Sequence, residues 1–298
     1  MTGLICPLPQ SSEFARASEA LNLPVRRMQR ESGGSVKLLW QVQSRKLGPL
    51  GRVDMISRGP VARNTADQLD WLGMFERWQD GCPLILNNDG LSAERLFDAG
   101  FWPLLTPATL ALLPLSDGAQ MRSALNQKWR NRLVRAETSG LKVTRHPLSK
   151  GHWLLAAEER QARKKGYRAL PTNLSLAFAK ANPGKAQLWE VRQAGEPLAA
   201  VLMLRHGAMA TWQMGHVTPQ GRKLNAMNLA LFTAMKALAD QGHTLLDLGT
   251  INTEDAPGLA HFKLGTGAYS HRLGGSWLHL GALAAIVRRL PLTLRLAA

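Results

Sequence analysis

Residues 188–217, LWEVRQAGEPLAAVLMLRHGAMATWQMGHV, constrain the fold more than any other stretch. Three apolar or alternating runs are separated by AGEP and RHGA, which reads as three strands joined by turns. A helical pattern from about Lys223 to Asp240 follows, and TLLDLG (244–249) is a further strand. Strands interrupted by a helix and then resumed need a sheet with a helix on its face, so this half is expected to be a mixed sheet flanked by helices.

The first half has the same grammar. VKLLWQVQSRKLGPLGRVDMISRGPV (36–61) alternates around GPLG as two strands of a meander. TADQLDWLGMFERWQDG (65–81) spaces Leu69, Leu72, Phe75 and Trp78 at helical steps, with Thr65 or Asp67 as cap and Gly81 as stop. PLILNND (83–89) reads as a short buried strand, and SAERLFDAGFWPL (92–104) starts a second helix. Between the halves, MRSALNQKWRNRLVRAETSG (121–140) reads as one helix with Leu125, Trp129, Leu133 and Ala136 on its apolar face. GHWLLAAEERQARKKGYRALP (151–171) reads as another. The expected fold class is α+β, or mixed α/β, and a length of 298 residues suits two domains. Their expected limits are 1–115 and 116–277, near Pro107 and Pro114, with an apolar and basic segment at 278–298. That segment is either a packed terminal helix or an interfacial one touching anionic membrane.

Cys6 and Cys82 match no metal or redox spacing, which points to a reducing compartment without a disulfide framework. Residues 1–20 lack the basic and apolar regions of a secretory signal, and no window reaches a spanning length. The expected location is the cytoplasm, with peripheral membrane contact left open. Residues 1–115 carry 12 Lys and Arg against 11 Asp and Glu, and residues 116–298 carry 25 against 10, so the net +16 falls as +1 and +15. Such a field concentrates nucleic acid, phosphorylated ligands or acidic lipid. A merely solubilising surface is the competing explanation.

GHVTPQGRKLNAMN (215–228) lies where acyl-transfer folds hold the pyrophosphate of an acyl carrier, and it resembles the V-x-P then R/Q-x-x-G-x-G/A pattern of the GNAT superfamily. Val217, Pro219 and Arg222 fit, whereas Asn225 and Met227 stand where that pattern has glycines, which weakens close approach by a pyrophosphate. Four stretches carry a narrower resemblance: SRGPV (57–61), QKWRNRLVRAETSGLKV (127–143), TWQMGHV with the helix after it (211–240), and LLDLGTINTEDAPGLAHFKLGTGA (245–268). In that order, over roughly residues 20–277, they look like the Fem family of peptidyltransferases, which add amino acids from aminoacyl-tRNA to peptidoglycan precursors.

The resemblance implies two GNAT-like domains, with a precursor groove on the first and a donor site on the second. It also implies that Lys263, in the Phe262-Lys263 pair, steadies the oxyanion formed when an amine attacks an aminoacyl ester. A solvated lysine on a strand is the alternative. Phe262 is then a stacking platform or a core residue, and Asp247 either orients an amine or caps local backbone. His216 and His261 are the histidines near enough to move a proton. Lys128, Arg130, Arg132 and Arg135 are candidates for donor phosphates, together with Arg222 and Asn225, against the alternative of a solvated helix face. Asn87, Asn88 and Asp89 stand where Fem proteins tend to place an acid, which suggests a shifted acceptor.

The sequence therefore points to an acyltransferase acting by direct attack of an amine. No metal site and no tightly bound cofactor are expected, and the donor is aminoacyl-tRNA or acyl-CoA. Three partner sets stay open: tRNA with a cell-wall precursor, an acyl thioester with a small or lipid amine, and RNA or membrane bound without turnover.

Overall fold

The computed structural model describes residues 4–46, 48, 51–78, 80–166 and 171–290. The chain divides into two compact units, Met1–Thr109 with Arg272–Ala298, and Leu110–His271. The first unit opens with α1 (Ser12–Glu19), β1 (Val25–Ser32), β2 (Ser35–Lys46), β3 (Arg52–Ser57) and β4 (Val61–Ala62). It continues through α2 (Thr65–Trp78), β5 (Leu84–Asn87), α3 (Ala93–Asp98) and β6 (Phe101–Leu105). The second runs β7 (Thr109–Pro114), α4 (Gly118–Ala124), α5 (Gln127–Glu137), β8 (Lys142–Pro147), α6 (Trp153–Lys165) and α7 (Thr172–Ala181). Then come β9 (Ala186–Gln193), β10 (Glu196–His206), β11 (Met209–Val217), α8 (Pro219–Lys223) and α9 (Ala226–Asp240). It closes with β12 (Leu245–Ile251), α10 (Pro257–Leu264) and β13 (Tyr269–Arg272), after which β14 (Ser276–His279) and α11 (Gly281–Arg288) rejoin the first unit.

The first sheet has the order β1-β2-β3-β5-β14-β6, with β4 beside β2. Only β3 and β5 run parallel, so the sheet is mixed. Its core joins Trp40 and Ile56 to Trp71 and Phe75 of α2, and Phe101 and Trp277 to Val287 of α11. The second sheet has the order β13-β7-β12-β11-β10-β9-β8. Side chains alternate between faces along a strand. Trp189, Val191, Ala199, Val201 and Met203 therefore point to the face covered by Leu133 of α5 and Leu231 and Met235 of α9. The Ala, Leu and Met of AMNLALFTAMKALAD are strong helix formers, and nine of these fifteen residues are buried, so α9 is a helix of the interior. The opposite face of β9 and β10 carries Leu188, Glu190, Ala200 and Leu202, and α6 and α7 pack beside it.

The mixed sheets, the meander at 188–217 and the strand TLLDLG are as expected. Several boundaries are corrected. The single helix expected at 121–140 is α4 and α5, because Leu125 turns extended and Asn126 caps the new helix through the N–H of Lys128 at 3.0 Å. The long helix expected from about Lys223 to Asp240 is α9, which starts three residues later because Asn225 stands in the left-handed region at φ 55° between it and the short α8. The polar loop before Phe262-Lys263 leads into a helix, α10, with Pro257 in its first turn. The N–H of Asp67 is accepted by Asn64, one residue ahead of the expected cap. The helix begun at residue 92 ends at Asp98, and Phe101–Leu105 is an edge strand.

The expected units 1–115, 116–277 and 278–298 also differ from the division found, because Trp277 pairs with both Leu86 and Pro103 inside the first sheet. Residues 291–298, part of the GPLG turn, the side chain of Trp78 and the 167–170 end of the second basic helix lie outside the described residues. Among the described residues, no helix is long and apolar enough to cross a membrane.

Candidate functional site

In the second unit β11 and β12 run parallel but pair only through Met209–Thr211 and Leu245–Asp247. Beyond that point the strands part, and the opening is bridged by a side chain from α10. Lys263 Nζ donates to Thr250 O on β12 at 2.8 Å and lies 5.9 Å from the ring centre of Trp212, the first residue of β11 beyond its pairing with β12. No other hydrogen bond from Nζ is found among the described residues, and an ammonium has three donors. Lys263 is 7% exposed. Burial pushes its pKa down to about 8, a shift that the carboxylate of Asp247 partly opposes. Gly249 sits beside it within β12 at φ +79°, a left-handed backbone that favours glycine. Asp247 is 2% exposed, and its Oδ1 accepts the N–H of Gly249 at 2.7 Å, which fixes that backbone.

On the other side of α10 lies a cleft of about 630 Å³ shared with α5. Phe262 and Trp129 form its aromatic floor with ring centres 5.7 Å apart, and Phe262 continues to Trp212 at 6.2 Å. Lys128, Arg132 and His261 are exposed around it. Two consecutive residues thus serve two places, Phe262 in the cleft and Lys263 in the strand opening. A slot with an apolar floor and a cationic rim suits an anionic ligand that carries a planar or apolar group.

The remaining sequence candidates separate. Arg130 donates to Ser123 O at 2.8 Å and Leu125 O at 3.1 Å, closing the α4–α5 corner. Arg135 is exposed and does not line the cleft. Arg222 and Asn225 lie at the α8–α9 junction, where the hydroxyl of Thr218 accepts the N–H of Gly221 at 3.0 Å. Gly221 packs against β10 so closely that a Cβ would fall 2.3 Å from Leu198 O. Both groups on the side chain of Asn88 are taken by the backbone of Leu91, and Asn87 accepts from Ser276 at 2.8 Å. Asp89 stands 3.8 Å from Arg58. Lys263 is not a solvated strand residue, as one expectation had it, but a buried helical one.

The sequence reading missed Trp212 and a polar cluster on the opposite face of the same sheet. There the buried Glu190 accepts from His152 Nε2 at 2.9 Å, stands 3.3 Å from His146 Nε2 and pairs with Arg192 Nε at 2.5 Å. Burial raises the carboxyl's affinity for a proton, but the donors from His152 and Arg192 outweigh it and hold its pKa below the ordinary value. Two histidines and a carboxylate offer a metal set. The donors do not fit one. His152 Nδ1 accepts the N–H of Leu154 at 3.2 Å, which leaves the proton on Nε2, where a metal needs a lone pair. The guanidinium of Arg192 already neutralises the carboxylate. The signal in the sequence was His152 directly ahead of an apolar helical run, where it caps α6.

Comparison with known proteins follows this geometry. Residues 119–271, just over half of the chain, match the family model described as acetyltransferase (GNAT) domain. No curated protein matches the sequence. Among solved structures the chain is similar to the crystal structure of FemX, with 14% identity, 95% of each chain covered and a TM-score of 0.74. It is also similar to L-PGS from Bacillus licheniformis, at 12% identity and TM-score 0.52 over 95% of this chain and 96% of that one. A tandem GNAT protein from the clavulanic acid biosynthesis pathway shares 12% identity and a TM-score of 0.50 over 93% of this chain and 90% of that one. At these identities the likeness is one of fold, a Fem-like tandem GNAT arrangement.

Proposed function

From the premise that the chain belongs to the acetyltransferase (GNAT) domain family and is an acyltransferase with a Fem-like fold, we propose that it moves an aminoacyl group from aminoacyl-tRNA to an amine of a cell-wall precursor. The observation that carries this reading is Lys263, a buried cation with one described hydrogen bond at the mouth of two parting strands. With a pKa of about 8 it is mostly protonated at neutral pH. When the amine lone pair attacks the ester carbonyl, the carbonyl π pair moves onto oxygen, and the ammonium meets charge that exists only in the transition state. Collapse re-forms the carbonyl, breaks the ester C–O bond and sends the leaving oxygen away with a proton from the attacking nitrogen. The products are an amide and the free hydroxyl of the tRNA.

Three features support aminoacyl-tRNA over a thioester. Asn225 and Met227 replace the glycines that admit a pyrophosphate, and Trp212 stands across the strand opening. The second unit carries 21 Lys and Arg against 10 Asp and Glu, a net of +11. A polyanion the size of tRNA fits that field and the exposed Lys128 and Arg132.

One observation favours the second reading, an acyl-CoA donor with a small or lipid amine. Val217, Pro219 and Arg222 match the GNAT pattern, and Pro219 and Arg222 lie in α8, a helix capped by Thr218. The test is transfer of label from aminoacyl-tRNAs, and separately from acetyl-CoA, to an extract of cell-wall precursors. Label moving from RNA to an amine product in the native protein, and lost in Lys263→Met, is expected. Transfer from acetyl-CoA alone would overturn the donor, and binding of RNA without transfer from either donor would leave a non-catalytic binding protein.

A further inference from the structure

Three strands of the second sheet align a row that the acyl-transfer reading has not used. Glu190 on β9 stands opposite Ala200 on β10, and Ala200 opposite His216 on β11, so Glu190 and His216 share one face with only a methyl between them. The first turn of α6 sits on this row. His152 reaches Glu190 through Nε2 at 2.9 Å, and the next residue, Trp153, meets His216 edge to face with ring centres 5.9 Å apart. His152 and Trp153 lie against one another at 5.7 Å and 31°.

Both nitrogens of His152 are occupied, Nδ1 by the N–H of Leu154 and Nε2 by Glu190, so it holds a place and has no free nitrogen for a substrate. His216 differs. Among the described residues its Nδ1 is buried without a partner while the residue keeps partial exposure, which leaves the Nε2 edge as the open one. It lies near the end of β11, paired with β10 but beyond the last residue paired with β12.

We propose that His216 takes the proton of the acceptor ammonium, and that Trp153, held by the His152–Glu190 pair, is the residue that positions its ring. This rests on the acyl-transfer reading above. The proton moves from R–NH3+ to Nε2 and gives imidazolium and a free amine. The amine lone pair then forms the C–N bond, and the imidazolium returns its proton to water after the product leaves. The charged groups facing His216 are Arg160 of α6 and Arg222 of α8. Together with burial, the largest cause, they push its pKa below the ordinary histidine value, which keeps the base free at neutral pH.

The experiment pairs the pH profile of kcat/KM with a proton NMR titration of His216 in the full chain, for wild type, His216→Gln, Trp153→Ala, Trp153→Phe and His152→Asn. Asparagine can still cap α6 but loses both the Glu190 contact and the ring against Trp153. His216→Gln is expected to lower the rate by about 10²–10⁴ and to remove the acidic limb. Trp153→Ala should move the limb and the NMR midpoint upward together, His152→Asn should do so by less, and Trp153→Phe should restore both. A merely structural Trp153 would change the rate without moving either midpoint, and that result overturns the positioning role. An acidic limb that survives in His216→Gln overturns the base. If wild type transfers nothing from either donor, the acyl-transfer reading falls and the base role with it. An unmoved NMR midpoint in Trp153→Ala would then overturn the clamp as well.

Discussion

Each unit has a parallel strand pair with buried charge beside it, Asp54 in the first and Lys263 with Asp247 in the second, and the two pairs are treated oppositely. In the first unit β5 pairs with β3 along its whole length, from Asp54↔Leu84 to Ser57↔Asn87. The buried charge there is Asp54, 4% exposed, which accepts from Ser44 at 2.6 Å and from Arg52 at 3.2 Å and also pairs with Arg26. In the second unit β11 and β12 separate after three residues, and the buried charge is Lys263 with one carbonyl and a neighbouring carboxylate. A carboxylate met by several donors is a structural element, because its desolvation is compensated where it stands. A buried ammonium with spare donors at an opening is held ready for charge that arrives later. On the proposed reading the oxyanion is met in the second unit, and the fully paired strands of the first are structural.

Substitutions at the two charges break this contrast most directly. Lys263→Met is expected to lower the transfer rate about 10²–10³-fold. It should also raise stability by about 1–2 kcal/mol, since it removes a desolvated charge worth roughly 2–3 and loses a hydrogen bond worth about 1. Thermal unfolding and single-turnover transfer, measured on the same sample, check both directions at once. Asp54→Asn is expected to act the other way, with a loss of about 2 kcal/mol for the unpaired arginines and an unchanged rate per folded molecule. If both variants destabilise and both keep their rate, the two charges are alike and the contrast fails.

The pH dependence sharpens it further. The folded pKa of Lys263, about 8, lies below the ordinary lysine value of 10.5, so between these the unfolded chain binds the extra proton. Stability therefore rises with pH across that window, while transfer that needs the ammonium falls up to about tenfold per unit above pH 8. A smaller effect separates two arginines on one helix. Replacing Lys128 and Arg132 by Gln should make the salt dependence of RNA binding shallower by about two. Arg130→Gln should instead cost about 1 kcal/mol of stability by loosening the α4–α5 corner, and change the salt slope less.

Much of this was legible in the sequence because it rests on local pattern. The meander at 188–217, the apolar stripe of Trp129 and Leu133, and the strand that carries Asp247 follow from periodicity. The helix breaks did not, since Asn126 and Asn225 act through a cap and a left-handed turn inside otherwise helical runs. Lys263 was picked out by the resemblance of residues 245–268 to the Fem family, yet its burial depends on where β11 and β12 part, which only the pairing register shows. Glu190, His152, Trp153 and His216 come from β9, the start of α6 and β11, so no spacing along the chain announces them. The return of β14 to the first sheet was hidden for the same reason: its partners lie 171 to 195 residues earlier.

The most direct test of the account is the titration of Lys263 itself. With 13C-labelled lysine and Lys263→Met to assign the signal, NMR follows its ammonium from neutral to strongly alkaline pH beside the rate of transfer. A midpoint near 8 that coincides with the alkaline loss of transfer is the expected result. A midpoint near the ordinary 10.5, or transfer that persists after the ammonium has lost its proton, would contradict it.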